Sequence, residues 1–102
     1  MRRYFYVYML ANKYNGTLYI GATSDLPRRV REHREGLIDG FTKEHDVKLL
    51  VYYELYEDPM SAIRREKLIK KWRRAWKRKL IEERNPRWND LYDNLINELP
   101  LT

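Results

Sequence analysis

The chain contains no cysteine. That excludes disulfides and any thiolate-based zinc site. No apolar run approaches the roughly 20 residues that a helical membrane span requires. No repeat, linker or low-complexity segment is visible. The amino-terminal MRRYFYVYMLANKYNG starts basic and turns apolar, as a secretory leader does. Its apolar part alternates tyrosines and offers no small-residue cleavage site, so it reads as a strand. The cytoplasm is the expected compartment. Negative charge is scarce: 15 Asp and Glu stand against 21 Lys and Arg, a formal charge of +6. The deficit is local. Residues 64–79, RREKLIKKWRRAWKRK, hold ten cations and one acid, Glu66. With a second cluster at 27–34, this distribution points to a polyanionic partner.

Apolar residues make up 43% of 102 positions, which suits one globular domain over residues 1–102. Residues 3–11, RYFYVYMLA, alternate Tyr4, Tyr6 and Tyr8 against Phe5, Val7 and Met9, the chemistry of a strand. TLYIGA (17–22) is a second strand, and the Asn15-Gly16 pair between them signals an antiparallel hairpin. Asp25 caps a helix with Pro27 in its first turn and Gly36 at its end. Leu26, Arg29, Val30 and His33 fall on one face of it. Residues 37–45 read as a loop and 46–55 as a third strand. Asp58 and Pro59 open a long helix running to about Glu83. After Asn85-Pro86, Trp88, Leu91, Tyr92, Leu95 and Leu99 mark a closing helix. The expected fold is α+β: a small three-stranded antiparallel sheet flanked by helices, in the order ββαβαα.

On a helical wheel, Ala62, Leu68, Ile69, Trp72, Ala75, Trp76 and Leu80 form one apolar stripe, expected in the core. Arg64, Lys67, Lys70, Lys71, Arg73, Arg74, Lys77 and Arg78 lie opposite. Glu66 falls on the boundary. Its plainest role is an i,i+4 ion pair with Lys70, of a kind worth about 0.3–0.5 kcal/mol. In the hairpin, a long loop pairs Tyr8 with Tyr19, whereas a tight turn at Asn15-Gly16 pairs Tyr19 with Asn12. Both registers put Tyr8 and Tyr19 on one face, and only the first brings the hydroxyls close. Aromatic sheet packing accounts for the same tyrosines. Arg29 suits either a phosphate clamp or a solvated surface charge. His33 suits either packing or catalysis.

Taken in order, these residues resemble the GIY-YIG nuclease family. YVY (6–8) stands at the first tyrosine motif and YIG (19–21) at the second. GATSDLPRRVREH follows the family's run from glycine through Asp-Leu to an arginine and then a histidine four residues on. AIRREKLIKKW matches the helix carrying the family's glutamate. GFT (40–42) and NPRWNDL (85–91) extend the resemblance over nearly the whole chain. It is nearest to the small single-domain bacterial members, the YhbQ-like or UPF0213 type.

The resemblance implies metal-dependent hydrolysis of a DNA phosphodiester. Tyr8, Tyr19, Arg29, His33 and Glu66 would form the catalytic set. Glu66 would hold Mg²⁺ or Mn²⁺, and Arg29 a phosphate oxygen. Tyr19 would take the proton of the attacking water and Tyr8 would orient it, with His33 in support. A tyrosine base needs help, since its reference pKa is near 10, and cationic surroundings favour the phenolate. Arg28, Lys67, Lys70, Lys71 and Arg74 would grip the DNA backbone without reading sequence. Larger relatives carry separate DNA-binding domains. With none visible here, the expectation is a preference for branched, nicked or single-stranded DNA, or else weak general activity, with a place in repair or recombination.

The chain departs from the family pattern at several points. Ala22 follows YIG where some relatives place a polar or basic residue. His45 stands where close relatives often have tyrosine. Tyr6 replaces the first motif's glycine. Asn85 is a further position that the resemblance offers as a support to the site. The rival expectation is a non-catalytic basic module that binds nucleic acid. Base stacking by Trp72 and Trp76 would favour it, but the wheel assigns both to the core.

Overall fold

The computed structural model describes residues 4–38 and 40–98. Strands β1 (Phe5–Ala11), β2 (Leu18–Thr23) and β3 (Leu49–Tyr56) form one sheet in the order β2-β1-β3. Both pairings are antiparallel. The helices are α1 (Leu26–Arg34), α2 (Phe41–Glu44), α3 (Pro59–Lys71), α4 (Arg74–Glu82) and α5 (Tyr92–Glu98). The expected α+β order is therefore present, with a short helical turn added before β3 and the long helix divided in two. Among the described residues no helix is long and apolar enough to cross a membrane.

Central β1 is buried on both faces from Tyr6 to Ala11, which is why its sequence is aromatic and apolar almost throughout. Val7, Met9 and Ala11 point to one side and join Ala62, Ile69, Ile81 and Trp88. Tyr6, Tyr8 and Leu10 point to the other and join Leu26, Val30, Val47 and Leu95. The sheet is thus the middle layer of three, with α3 and α4 below and α1 and α5 above.

Three expectations need correction. First, the helix from Pro59 breaks at Trp72 and Arg73, whose ψ angles are 147° and 158°. No proline or glycine marks the place. A continuous helix would stack Lys70 on Arg74 at i,i+4 across this point, a like-charge pair that weakens it. The break frees Arg74 to donate to the carbonyls of Asn15 and Gly16 at 2.8 and 2.7 Å. It also rephases the apolar stripe. Ala62 and Ile69 are buried as expected, but Leu68 and Trp76 are about half exposed and Ile81 takes the core position.

Second, the closing helix starts at Tyr92 rather than Trp88. Trp88 takes a positive φ of 57°, and its buried indole donates to Glu82 at 2.7 Å. Residues 85–91 instead seal the outer edge of β3. The Asn85 amide donates to Val51 O at 3.0 Å and Leu91 N to Leu50 O at 2.7 Å. Leu99 lies outside the described residues. Third, the 37–45 segment is not all loop, because Gly40 (φ 102°) turns it into α2.

Candidate active site

The hairpin takes neither expected register. It pairs Tyr8 with Gly21 and Leu10 with Tyr19. Parity is preserved, so Tyr8 and Tyr19 share a face, their rings 6.2 Å apart. Gly21 does not end the strand; it lies within β2 and makes room. A Cβ on it would sit 2.5 Å from the Tyr8 hydroxyl and 2.6 Å from the ring carbon bearing it. The Tyr8 ring therefore lies across Gly21 and carries its hydroxyl over β2, the sheet's edge strand.

Helix α1 meets that hydroxyl. Its first turn is fixed by Asp25, which accepts from Arg28 N at 3.3 Å and satisfies one of the free amides of a helix start. Leu26 and Val30 then enter the core and bring His33 with them. His33 is buried, its Nε2 3.2 Å from the Tyr8 hydroxyl and its Nδ1 2.8 Å from Thr42 Oγ1. Both ring nitrogens are thus engaged. Burial, then the charge of Arg29, lowers the His33 pKa, with Glu32 opposing. Arg29 stands on the rim, partly exposed, with Nη1 3.8 Å from Glu32 Oε1. It lines an open cleft of about 270 Å³ with Thr23, Ser24, Asp25, Arg28 and Glu32.

Glu66 comes from the other face of the sheet. Its side chain is 13% exposed and Lys70 Nζ lies 2.6 Å from Oε1, so the ion pair expected from spacing is formed. The carboxylate also bears on Tyr8. Burial raises the Tyr8 phenol well above its ordinary value, Tyr19 raises it further by charge and hydrogen bonding, Arg29 lowers it, and Glu66 adds a smaller upward push. Of the other candidates, His33 touches the Tyr8 hydroxyl and the Tyr19 ring lies beside it, while Arg29 and Glu66 bear on it through charge.

Among the described residues no cluster of three or more acids or histidines is placed to hold a metal. Glu66 offers a single hard carboxylate. That suits Mg²⁺, which takes one or two protein carboxylates and keeps several waters. The Lys70 ammonium shows that a cation is accommodated against this carboxylate.

Of the candidate DNA contacts, Lys67 and Lys71 are exposed on α3. Arg28 is exposed and shared with Glu32 at 3.3 Å. Lys70 is held by Glu66, and Arg74 by the hairpin carbonyls. Asn85 braces β3 and Asn89 rather than the Tyr8 cluster. Sequence reasoning missed Thr42, the second partner of His33. Its one signal was the GFT segment, quoted without a role. It also missed Phe41, whose ring stacks on Tyr19 at 6.4 Å.

Two tyrosines share a face of adjoining strands, with Arg29 and His33 on α1 and Glu66 on α3, in a fold of the nuclease type. The model for the GIY-YIG catalytic domain matches residues 4–79, and the chain belongs to the GIY-YIG family. Within it, the similarity is to small UPF0213 proteins. The chain is 37% identical over 83 residues to one from Haloquadratum walsbyi, covering 81% of this chain and 92% of that protein. It is 39% identical over 79 residues to another from Staphylococcus haemolyticus, covering 78% and 95%. The solution NMR structure of a UPF0213 protein from Bacillus halodurans superposes with a TM-score of 0.54 at 26% identity, covering 85% of this chain and 92% of that one.

Proposed function

We propose that this chain is a divalent-metal-dependent DNA endonuclease that prefers branched, nicked or single-stranded DNA and serves repair or recombination. What supports the reading is the Tyr8 hydroxyl, 3.2 Å from His33 Nε2 with the Tyr19 ring 6.2 Å from its own, on which the charges of Arg29 and Glu66 both bear.

In this reading Arg29 binds a non-bridging oxygen of the scissile phosphate and stabilises charge as it accumulates. Water attacks phosphorus, a new P–O bond forms and the P–O3′ bond breaks. Tyr19 acts as the general base that takes the water's proton. Tyr8 stays protonated, because its burial disfavours the charged form, and it orients the water or Tyr19 by hydrogen bonding. His33, kept neutral, fixes the Tyr8 hydroxyl from behind. Glu66 holds Mg²⁺ or Mn²⁺, which when bound offsets charge on the phosphate and the departing 3′ oxygen. Lys67 and Lys71 add a salt-sensitive grip on the backbone.

The test is incubation of purified protein with plasmid and branched DNA in Mg²⁺, in Mn²⁺ and in chelator. Nicking is expected only with metal. It is lost in Glu66→Ala and Tyr19→Phe while DNA binding survives. Binding with no metal-dependent cleavage would overturn the reading and leave the non-catalytic module. One observation favours that rival: Trp76 is not core but half exposed, with the Arg73 guanidinium 4.9 Å from its ring centre.

A further inference from the structure

Helix α2 places an aromatic pair beside the tyrosine cluster that the reading above leaves unused. Gly40, at φ 102°, lets the chain turn into this single helical turn. Thr42 anchors it from below: it is buried, bonded to His33 at 2.8 Å, and its carbonyl accepts from Val47 N at 2.9 Å. With Thr42 turned inward, Phe41 and His45, at i and i+4, stand outward together. Their ring centres are 4.4 Å apart. Phe41 is 44% exposed and lies nearly parallel to Tyr19, at 28°. A phenylalanine left half in water, in register with a ring of the site, is not explained by the core.

We propose that Phe41 and His45 form a stacking platform for an unpaired nucleobase flanking the scissile phosphate. The position of that phosphate rests on the nuclease reading; the platform itself rests on α2. Every base has a π-face that stacks on aromatic side chains, so such a platform tolerates any sequence. In a continuous duplex those faces are covered by neighbouring bases. Only a flap, a frayed end or a branch offers one free. The platform thus gives a physical source for structure preference that needs no reading of sequence.

The experiment uses a flap oligonucleotide with 2-aminopurine at the unpaired position next to the junction, in chelator so that nothing is cut. The wild-type protein is expected to quench the probe and to bind the flap about tenfold more tightly than the matching duplex. Phe41→Leu, apolar but without a ring, loses both effects, and Phe41→Trp keeps both. Quenching and preference unchanged in Phe41→Leu overturn the platform. No cleavage is involved, so a failure of the nuclease reading leaves this result standing. Conversely, active protein whose Phe41→Leu variant keeps its flap preference rejects the platform alone.

Discussion

Lys70 Nζ lies 2.6 Å from Glu66 Oε1, so the acid of the candidate site is neutralised from within its own helix. A divalent cation at Glu66 must displace that ammonium or share the carboxylate with it. Lys70→Met is therefore expected to bind Mn²⁺ severalfold more tightly than wild type, and Glu66→Gln not measurably. Electron paramagnetic resonance of free Mn²⁺ in the absence of DNA reads both. Equal or weaker affinity in Lys70→Met would show that the lysine does not compete.

Two groups, buried His33 and partly buried Glu54, set the response to acid in separate pH windows. His33 has its pKa lowered below 6.5 by burial and then by Arg29, so the unfolded chain takes up that proton first. Its contribution to stability is complete above about pH 6.5 and declines as the pH falls through the lowered value. Glu54 behaves likewise, further down. Burial alone would raise it, but hydrogen bonds from Arg65, Tyr52 and Tyr56 outweigh that and hold it below 4.5. Its contribution is lost as the pH falls below that point. Urea denaturation across the acid range is expected to show two descending limbs. His33→Gln removes the upper and Glu54→Gln the lower. Glu54→Gln also weakens a charge-assisted anchor between β3 and α3, where Arg65 donates at 3.0 and 2.9 Å, at a cost of roughly 1.5–3 kcal/mol at neutral pH.

Much of this was legible in the sequence, and the exceptions have physical causes. Strand parity alone put Tyr8 and Tyr19 on one face, because a shift of register by two leaves faces unchanged. Asp25 and Asp58 announced their helices through capping chemistry that depends on a few neighbours only. The break at Trp72 was invisible because its causes are like-charge crowding and a long-range bond from Arg74 to the hairpin. The turn of α2 was hidden because four residues carry no periodicity. The closeness of Tyr8, Tyr19 and His33 was suggested by resemblance, not by spacing. It depends on Gly21 leaving a gap over an edge strand, which no periodicity announces.

Exposed cations on α3 that meet only phosphate contribute through counterion release. Each such contact adds about 0.9 to the slope of log K against log salt. Lys67→Ala and Lys71→Ala are each expected to lower the slope by about 1, similarly for duplex and flap DNA. Fluorescence anisotropy across a salt series measures it. A change in preference between DNA structures without a change in slope would remove these lysines from the backbone grip.

Gly21 offers the sharpest test of how the site is built. Its missing Cβ is the space that the Tyr8 ring occupies, with approaches of 2.5 to 2.9 Å for any added carbon. Its φ is not in the left-handed region, so the effect of Gly21→Ala is steric and directed at one ring. Displacing that ring takes the hydroxyl from His33 Nε2 and leaves a buried nitrogen unpartnered, a loss of about 1–3 kcal/mol. Tyr8→Ala alone loses the same bond and opens a cavity. In Gly21→Ala/Tyr8→Ala the clash no longer exists, so the double variant should be more stable than the sum of the single effects predicts. A double-mutant cycle by chemical denaturation measures that coupling. Strict additivity would mean that Gly21 serves the strand and not the tyrosine.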